Sequence, residues 1–246
     1  MLDSSLKAQT QDPKQVIIQD YDSAPDSDTL LIAFGGISGG LDMPVFEFFN
    51  ITSSLATKRL FVRDLEQAWY QNGLPAIASD IDGVLAYLRQ QITGANIERT
   101  VIVGNSAGGY AALLFGHLLE VDTVLSFAPQ TFLTRWLKWR HRDTRWREQH
   151  RNLWQTNQSA RKYRNLRPIL RHGNGITRYH VTYCKTHRTD RLHAEHLQGT
   201  PQLSLHATSV GGHRVIAWLR EQGLLYSLLE TAIQGQAVTD IFDNLR

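Results

Sequence analysis

A serine hydroxyl attacks a carbonyl only when a base takes its proton, and that base works best when a carboxylate orients it and supports its charge. This chain carries a serine in a setting built for attack. Ser106 lies in Gly104-Asn105-Ser106-Ala107-Gly108, after the apolar, β-branched run Thr100-Val101-Ile102-Val103 and before the helix-forming run Tyr110–Phe115. Read as strand, sharp turn and helix, the segment is a nucleophile elbow, which holds its serine in a strained backbone at the carboxyl end of a strand. The residues two before and two after must be small because the backbone passes close by. Gly104 and Gly108 meet that demand.

Candidates for the acid and the base follow in order. After the apolar run His180–Cys184 comes a polar loop, Lys185 to Arg191, containing Asp190. After Leu203-Ser204-Leu205 comes Ser209-Val210-Gly211-Gly212-His213, with His213 opening the next helix. Glu195 is the alternative acid, but it falls in a helix-like stretch far past the strand end; His206 is the alternative base, but it still belongs to the strand. An oxyanion formed by attack needs preorganised N–H donors. The backbone N–H of Ala107, next after the serine, is one. The glycine loop Gly35-Gly36-Ile37-Ser38-Gly39-Gly40 can bring its backbone close to a ligand, and the N–H of either Gly36 or Ile37 is the second. The same loop lacks the ending of a P-loop and the spacing of a dinucleotide site.

His187, His193 and His196 raise a metal reading, and His193-Ala194-Glu195-His196 is one residue short of a zinc-protease pattern. Exposed polar helix residues are the simpler account. Cys184 ends a β-rich apolar run and reads as a buried strand residue.

Placing Ser106, Asp190 and His213 together requires a scaffold, and the apolar runs supply one. Runs at 16–18, 30–34, 59–62, 101–103, 124–127, 180–183 and 203–205 read as buried strands. Helical patterns lie between most of them, at 44–56, 77–92 and 109–120, with a last one at 212–233 broken at Gly223. This alternation predicts an α/β fold: one mostly parallel central sheet, helices on both faces, and ligands at the carboxyl ends of the strands. The 246 residues read as a single domain, with only the first dozen residues and the last few loose.

One interval breaks the rhythm. Residues 129–178 hold no strand pattern and read as a helical, cap-like insertion whose aromatic stripe, Phe132, Trp136, Trp139, Trp146 and Leu153, docks on the domain with its arginines in water. Residues 129–171 carry ten Arg and two Lys against Asp143 and Glu148, a local balance of +10 in a chain of net charge +3, so the remaining body is acidic. A basic cluster beside a cleft favours an anionic substrate. Arg interleaved with Trp also suits nucleic-acid contacts, so a non-catalytic scaffold binding nucleic acid or an acidic partner is a rival reading. A pure binding module gives no reason for Ser106, Asp190 and His213 to occur in order, so nucleic acid is not the expected partner. No apolar run reaches the length of a membrane span. A polar N-terminus and a single cysteine make the expected location cytoplasmic.

The elbow, the glycine loop at Gly35-Gly36, Asp190 and His213 together resemble the α/β-hydrolase superfamily, from about Val16 to Leu229. The resemblance implies a Ser106-Asp190-His213 triad, an acyl-enzyme intermediate, no cofactor, and a variable cap after the sixth strand, matching 129–178. Phe34 stands where many esterases have His, and Gly35-Gly36-Ile37 is not the three-glycine run of the lipases. The expected activity is hydrolysis of an ester or related acyl bond, with a small-molecule acyl substrate; an acyltransferase using the same residues is the nearest alternative.

Overall fold

All seven apolar runs form strands, and the seven strands make one sheet. The computed structural model describes residues 4–37, 48–155 and 158–243. Strands β1 (Ile17–Asp20), β2 (Thr29–Phe34), β3 (Lys58–Val62), β4 (Arg99–Asn105), β5 (Thr123–Phe127), β6 (Arg178–Cys184) and β7 (Leu203–Thr208) lie in the order β1-β3-β2-β4-β5-β6-β7. β1 is antiparallel to β3, and every other pairing is parallel. Within β2, Leu30, Ile32 and Phe34 face one apolar core while Leu31 and Ala33 face the other, the two-residue period of a strand covered on both sides.

Helices α2 (Ile81–Gly94), α3 (Ala107–Leu119) and α7 (Arg188–Glu195) cover the first face; α8 (Val215–Glu221) and α9 (Leu224–Ile233) cover the second. Gly223, at φ 72°, makes the turn between the last two, where the sequence places a helix break. The termini are more ordered than expected: Ser4–Gln11 forms α1 and Thr239–Asp243 forms α10.

Three expectations need correction. Of the helix read at 44–56, residues 44–47 lie outside the described residues and 48–56 form turns. There the Thr52 hydroxyl donates to Phe48 O at 2.8 Å and the Ser53 hydroxyl to Asn50 O at 2.8 Å, so side chains compete for the carbonyls a helix would use. The excursion leaves after the fifth of seven strands rather than the sixth. It consists of α4 (Arg135–Arg140), α5 (Arg147–Gln155), a 3₁₀ segment (Gln158–Tyr163) and α6 (Leu166–Leu170). Its aromatic stripe does not dock as a unit: Phe132 and Leu153 are buried, but Trp136 and Trp139 are 61% and 78% exposed, because the short α4 seats Leu137 and the Lys138 stem instead.

The sheet order creates the place for a site. β2 connects onward to β3 on one side, and the chain then returns to lay β4 on the other side of β2, which opens a crevice at their carboxyl ends. Gly35-Gly36 leave β2 there, Ser106 leaves β4, Gln130 follows β5, Asp190 follows β6 and His213 follows β7.

Candidate active site

Ser106 alone joins β4 to α3, and it does so at φ 55°, a left-handed conformation that costs a non-glycine residue about 1–3 kcal/mol. The turn is pinned on both sides. Ser106 N–H donates to Phe127 O at 2.8 Å, and Ser106 O accepts from Tyr110 N at 3.1 Å. The flanking glycines are forced by space: a Cβ on Gly104 would lie 2.1 Å from Gly108 O, and one on Gly108 would lie 2.2 Å from Phe34 O.

His213 sits in a 3₁₀ turn entered through Gly211 at φ 96° and Gly212 at φ 56°. Its Nε2 lies 3.2 Å from Ser106 Oγ, and its Nδ1 lies 3.0 and 2.8 Å from the two carboxylate oxygens of Asp190. A carboxylate only accepts, so Nδ1 carries the proton and Nε2 is left to accept from the serine hydroxyl. Asp190 is not in the loop where the sequence places it. The polar stretch winds into α7 and Asp190 occupies its first turn, where a carboxylate complements the helix N-terminus.

Asp190 is fully buried and closely attended. Besides His213 it meets His187 Nδ1 at 2.8 Å and Arg145 Nη1 at 2.8 Å. Burial works to raise its pKa, but the hydrogen bond from His213 and the charges of His213, Arg145 and His187 outweigh it, so the carboxyl is held below its ordinary value. Arg145 forks onto a second buried carboxylate, Asp143, with Nε 3.0 Å from Oδ1 and Nη2 3.2 Å from Oδ2. Asp143 also meets Lys138 at 3.3 Å and His193 Nε2 at 3.0 Å. Thr131 N–H donates to His193 Nδ1 at 3.0 Å, so His193 is neutral with its proton on Nε2. Burial holds it there, at a pKa of about 4.

On the other side of the serine, Gln130 Nε2 donates to Ser106 Oγ at 3.2 Å. The amide orientation is fixed because its Oε1 accepts from Trp69 Nε1, which can only donate. Trp69 is carried by a loop wound around Asp64, whose carboxylate accepts the N–H groups of Glu66, Ala68 and Tyr70. The Ser106 hydroxyl hydrogen is thereby directed at His213 Nε2.

The structure thus brings Ser106, Asp190 and His213 into one hydrogen-bonded chain. It also brings Gly36 beside them: a Cβ on Gly36 would lie 3.8 Å from Ser106 Cβ and 3.2 Å from Asn105 O. Ala107 opens α3, so its N–H is among those a helix leaves without an internal acceptor. Ile37 follows Gly36 and packs half-buried on the core; Ser38, Gly39 and Gly40 lie outside the described residues. Glu195 is apart from the chain, exposed beside Arg191, and His206 pairs with His180 and stacks on Phe242.

The three histidines of the metal reading do not converge, and two of them are not the exposed helix residues expected. His193 is buried against Asp143, and the half-buried His196 Nε2 meets Asn165 Oδ1 at 2.8 Å. Only His187 joins Asp190 and His213, with one ligand-type atom from each within 4.8 Å of the others, a spacing that two imidazoles hydrogen-bonded to one carboxylate also produce. Cys184 is buried at the end of β6, as expected. Sequence reasoning missed Arg145 and Gln130. Gln130 follows the fifth strand at the edge where the site forms, a signal that could have been used; nothing distinguishes Arg145 from the other nine arginines around it.

No protein-family model matches the chain, and no curated protein matches it. Solved structures do. It is similar to the capsule O-acetyltransferase of Neisseria meningitidis serogroup A, at 19% identity over 89% of this chain and 90% of that one, TM-score 0.65. It is similar to a histidine-to-alanine mutant of the same enzyme in complex with CoA, at 18% identity over 88% and 90%, TM-score 0.60. It is also similar to brefeldin A esterase, a bacterial homologue of human hormone-sensitive lipase, at 15% identity over 88% and 70%, TM-score 0.55. The parallel sheet, the elbow after β4 and these likenesses have one common description: the chain has the α/β-hydrolase fold.

Proposed function

We propose that this chain is a serine acyl-transfer enzyme in which Ser106 is the nucleophile, His213 the base and then the acid, and Asp190 the group that orients His213. The observation that carries the reading is the unbroken chain from Ser106 Oγ to His213 Nε2 at 3.2 Å and from His213 Nδ1 to Asp190 at 2.8 Å. In the first half-reaction Oγ bonds to the acyl carbon as its proton passes to Nε2. The carbonyl oxygen takes the negative charge and faces the N–H of Ala107 and that of Gly36 or Ile37, each worth about 3–4 kcal/mol in such sites. The bond to the leaving group then breaks, and His213 gives the leaving group its proton. In the second half, an acceptor loses its proton to His213 and attacks the acyl-serine, releasing Ser106.

Water as the acceptor makes the protein an ester hydrolase; a bound hydroxyl makes it an O-acyltransferase. Hydrolysis is in keeping with the esterase likeness. Transfer is favoured by one specific observation, that the capsule O-acetyltransferase matches over nine-tenths of both chains. A fluorophosphonate probe tests the shared chemistry: the native protein labels and Ser106→Ala does not. Product analysis with an acyl thioester and a sugar hydroxyl then separates the two, since acylated sugar forms only if transfer competes with water.

A further inference from the structure

The insertion carries a cleft of about 990 Å³ between α4 and α5. Arg135, Lys138, Arg140, Arg142, Arg147 and Arg151 line it, with Asp143 as the one carboxylate in its wall. Asp143 is already held by Lys138, Arg145 and His193, so it offers nothing to the five arginines. Among the described residues, the side chains of Arg142, Arg147 and Arg151 make neither a hydrogen bond nor an ion pair, and those of Arg135 and Arg140 only lie over Trp154 and Trp136. Five arginines lining one concavity without a counter-charge of their own repel one another. The exposed Trp139 adds a flat apolar wall to the same cleft.

The cleft is also joined to the catalytic chain by two routes. Its Asp143 holds Arg145, which holds Asp190. Its His150 stacks on Trp69 at 4.2 Å, Trp69 bonds Gln130, and Gln130 bonds Ser106.

We infer that this cleft binds the anionic part of the acyl substrate, a group carrying two or more negative charges such as a phosphoryl chain. Guanidinium forks match phosphate oxygens in pairs and are weakly hydrated, so they lose little on desolvation. The word substrate rests on the acyl-transfer reading above; the binding site does not. Binding of inorganic tripolyphosphate is therefore followed by calorimetry in the whole Ser106→Ala chain at low salt, where no turnover intervenes. Two triple variants are compared: Arg142→Ser, Arg147→Ser and Arg151→Ser in the cleft, and Arg167→Ser, Arg171→Ser and Arg178→Ser outside it, all six exposed.

The expected result is saturable binding that weakens more than about tenfold in the cleft triple and less than about twofold in the equally charged control. Absence of saturable binding, or equal losses in the two triples, overturns the site. With Ser106 present, the cleft triple should raise KM about tenfold for a phosphate-bearing ester and leave KM for p-nitrophenyl acetate unchanged. Equal KM values for the phosphate-bearing ester in the cleft triple and the parent overturn the substrate assignment. If neither ester turns over while tripolyphosphate binds, the acyl-transfer reading fails and the anion site stands.

Discussion

Arg145 Nη1 lies 2.8 Å from Asp190 Oδ1, so a residue of the insertion closes the set of partners of a carboxylate carried by α7, beyond β6. The same guanidinium grips Asp143, giving an alternating row of Asp143, Arg145 and Asp190 with little exposure. The insertion is therefore bonded into the chain of Ser106, His213 and Asp190 and is more than a roof over it. Its basic character has two sources: one arginine turned inward onto carboxylates, and a set of others left facing a cleft.

Replacing Arg145 by Met tests that inward role. The stem still packs, but Asp190 loses one anchor and its charge is less neutralised. A carboxylate free to swing misaligns His213, and kcat/KM should fall about 10- to 100-fold. Arg145 is also one of the groups that hold the Asp190 carboxyl below its ordinary value, so in the variant that carboxyl should gain its proton at higher pH and the acid limb of the kcat/KM profile should move up. His187 and His213 are the other titratable groups touching Asp190. An unmoved acid limb with only a lower plateau would mean that Arg145 supports the fold and does not tune the carboxylate.

Stability should fall steeply between pH 6.5 and 4. Burial holds His180, His193 and His196 at about 4 and His150 at about 2, below the value near 6.5 of an unfolded chain. A histidine with a lowered folded pKa stabilises fully above the unfolded pKa, and the contribution drains as pH falls, by about 1.4 kcal/mol per unit for each group. Asp64 opposes one of the four, since burial pushes it up to about 6 and it gains its proton first in the folded state. Asp143, held well below its ordinary value despite burial by His193, Arg145 and Lys138, adds a further loss below about pH 4. Urea unfolding across this range should take up protons, so stability should rise with pH with a net slope worth about three protons. His150 stacks on Trp69 and its buried Nδ1 has no hydrogen-bond partner, so His150→Phe should keep the stack and reduce the slope by one proton.

The elbow's strain is measurable apart from activity. Ser106→Ala and Ser106→Gly both remove the hydroxyl of the proposed nucleophile, but only glycine adopts φ 55° without steric cost. The glycine variant should be the more stable of the two by about 1 kcal/mol, with neither labelled by a fluorophosphonate. Equal melting temperatures would show that the turn carries no stored strain.

Much of this was legible in the sequence for a physical reason. Alternation and β-branched runs located seven strands, because a strand covered on both faces must be continuously apolar. The elbow could be read because Gly104 and Gly108 are sterically forced, which leaves a visible spacing. Asp190 and His213 followed from lying just past strand ends on one edge of the sheet. What escaped the sequence was contact between distant segments. Ten arginines in 129–171 look alike in one dimension, and only the folded insertion singles out Arg145 for Asp190. Trp136 and Trp139 fit an apolar stripe by spacing, yet α4 is six residues long and too short for spacing to fix which face docks. His193 sits on a helix of polar composition, and its burial depends on Asp143 arriving from the insertion.

Gln130 offers a separation of positioning from packing. Its amide donates to Ser106 Oγ and accepts from Trp69 Nε1, so Gln130→Leu removes both contacts at once. The buried indole N–H is then unpaired, which should cost about 1–3 kcal/mol of stability. Adding Trp69→Phe removes the orphaned donor, and the double variant should be more stable than the sum of the two single losses by about 1 kcal/mol or more. Activity should not follow. Ser106 Oγ still lacks its donor in the double variant, its hydroxyl is free to rotate away from His213, and kcat should stay between about twofold and tenfold below the native value, the worth of one neutral hydrogen bond. Thermal unfolding and steady-state kinetics on all four proteins read the two effects independently. Recovery of kcat in step with stability would reduce Gln130 to a packing residue, whereas recovery of stability alone makes it the residue that aims the Ser106 hydroxyl.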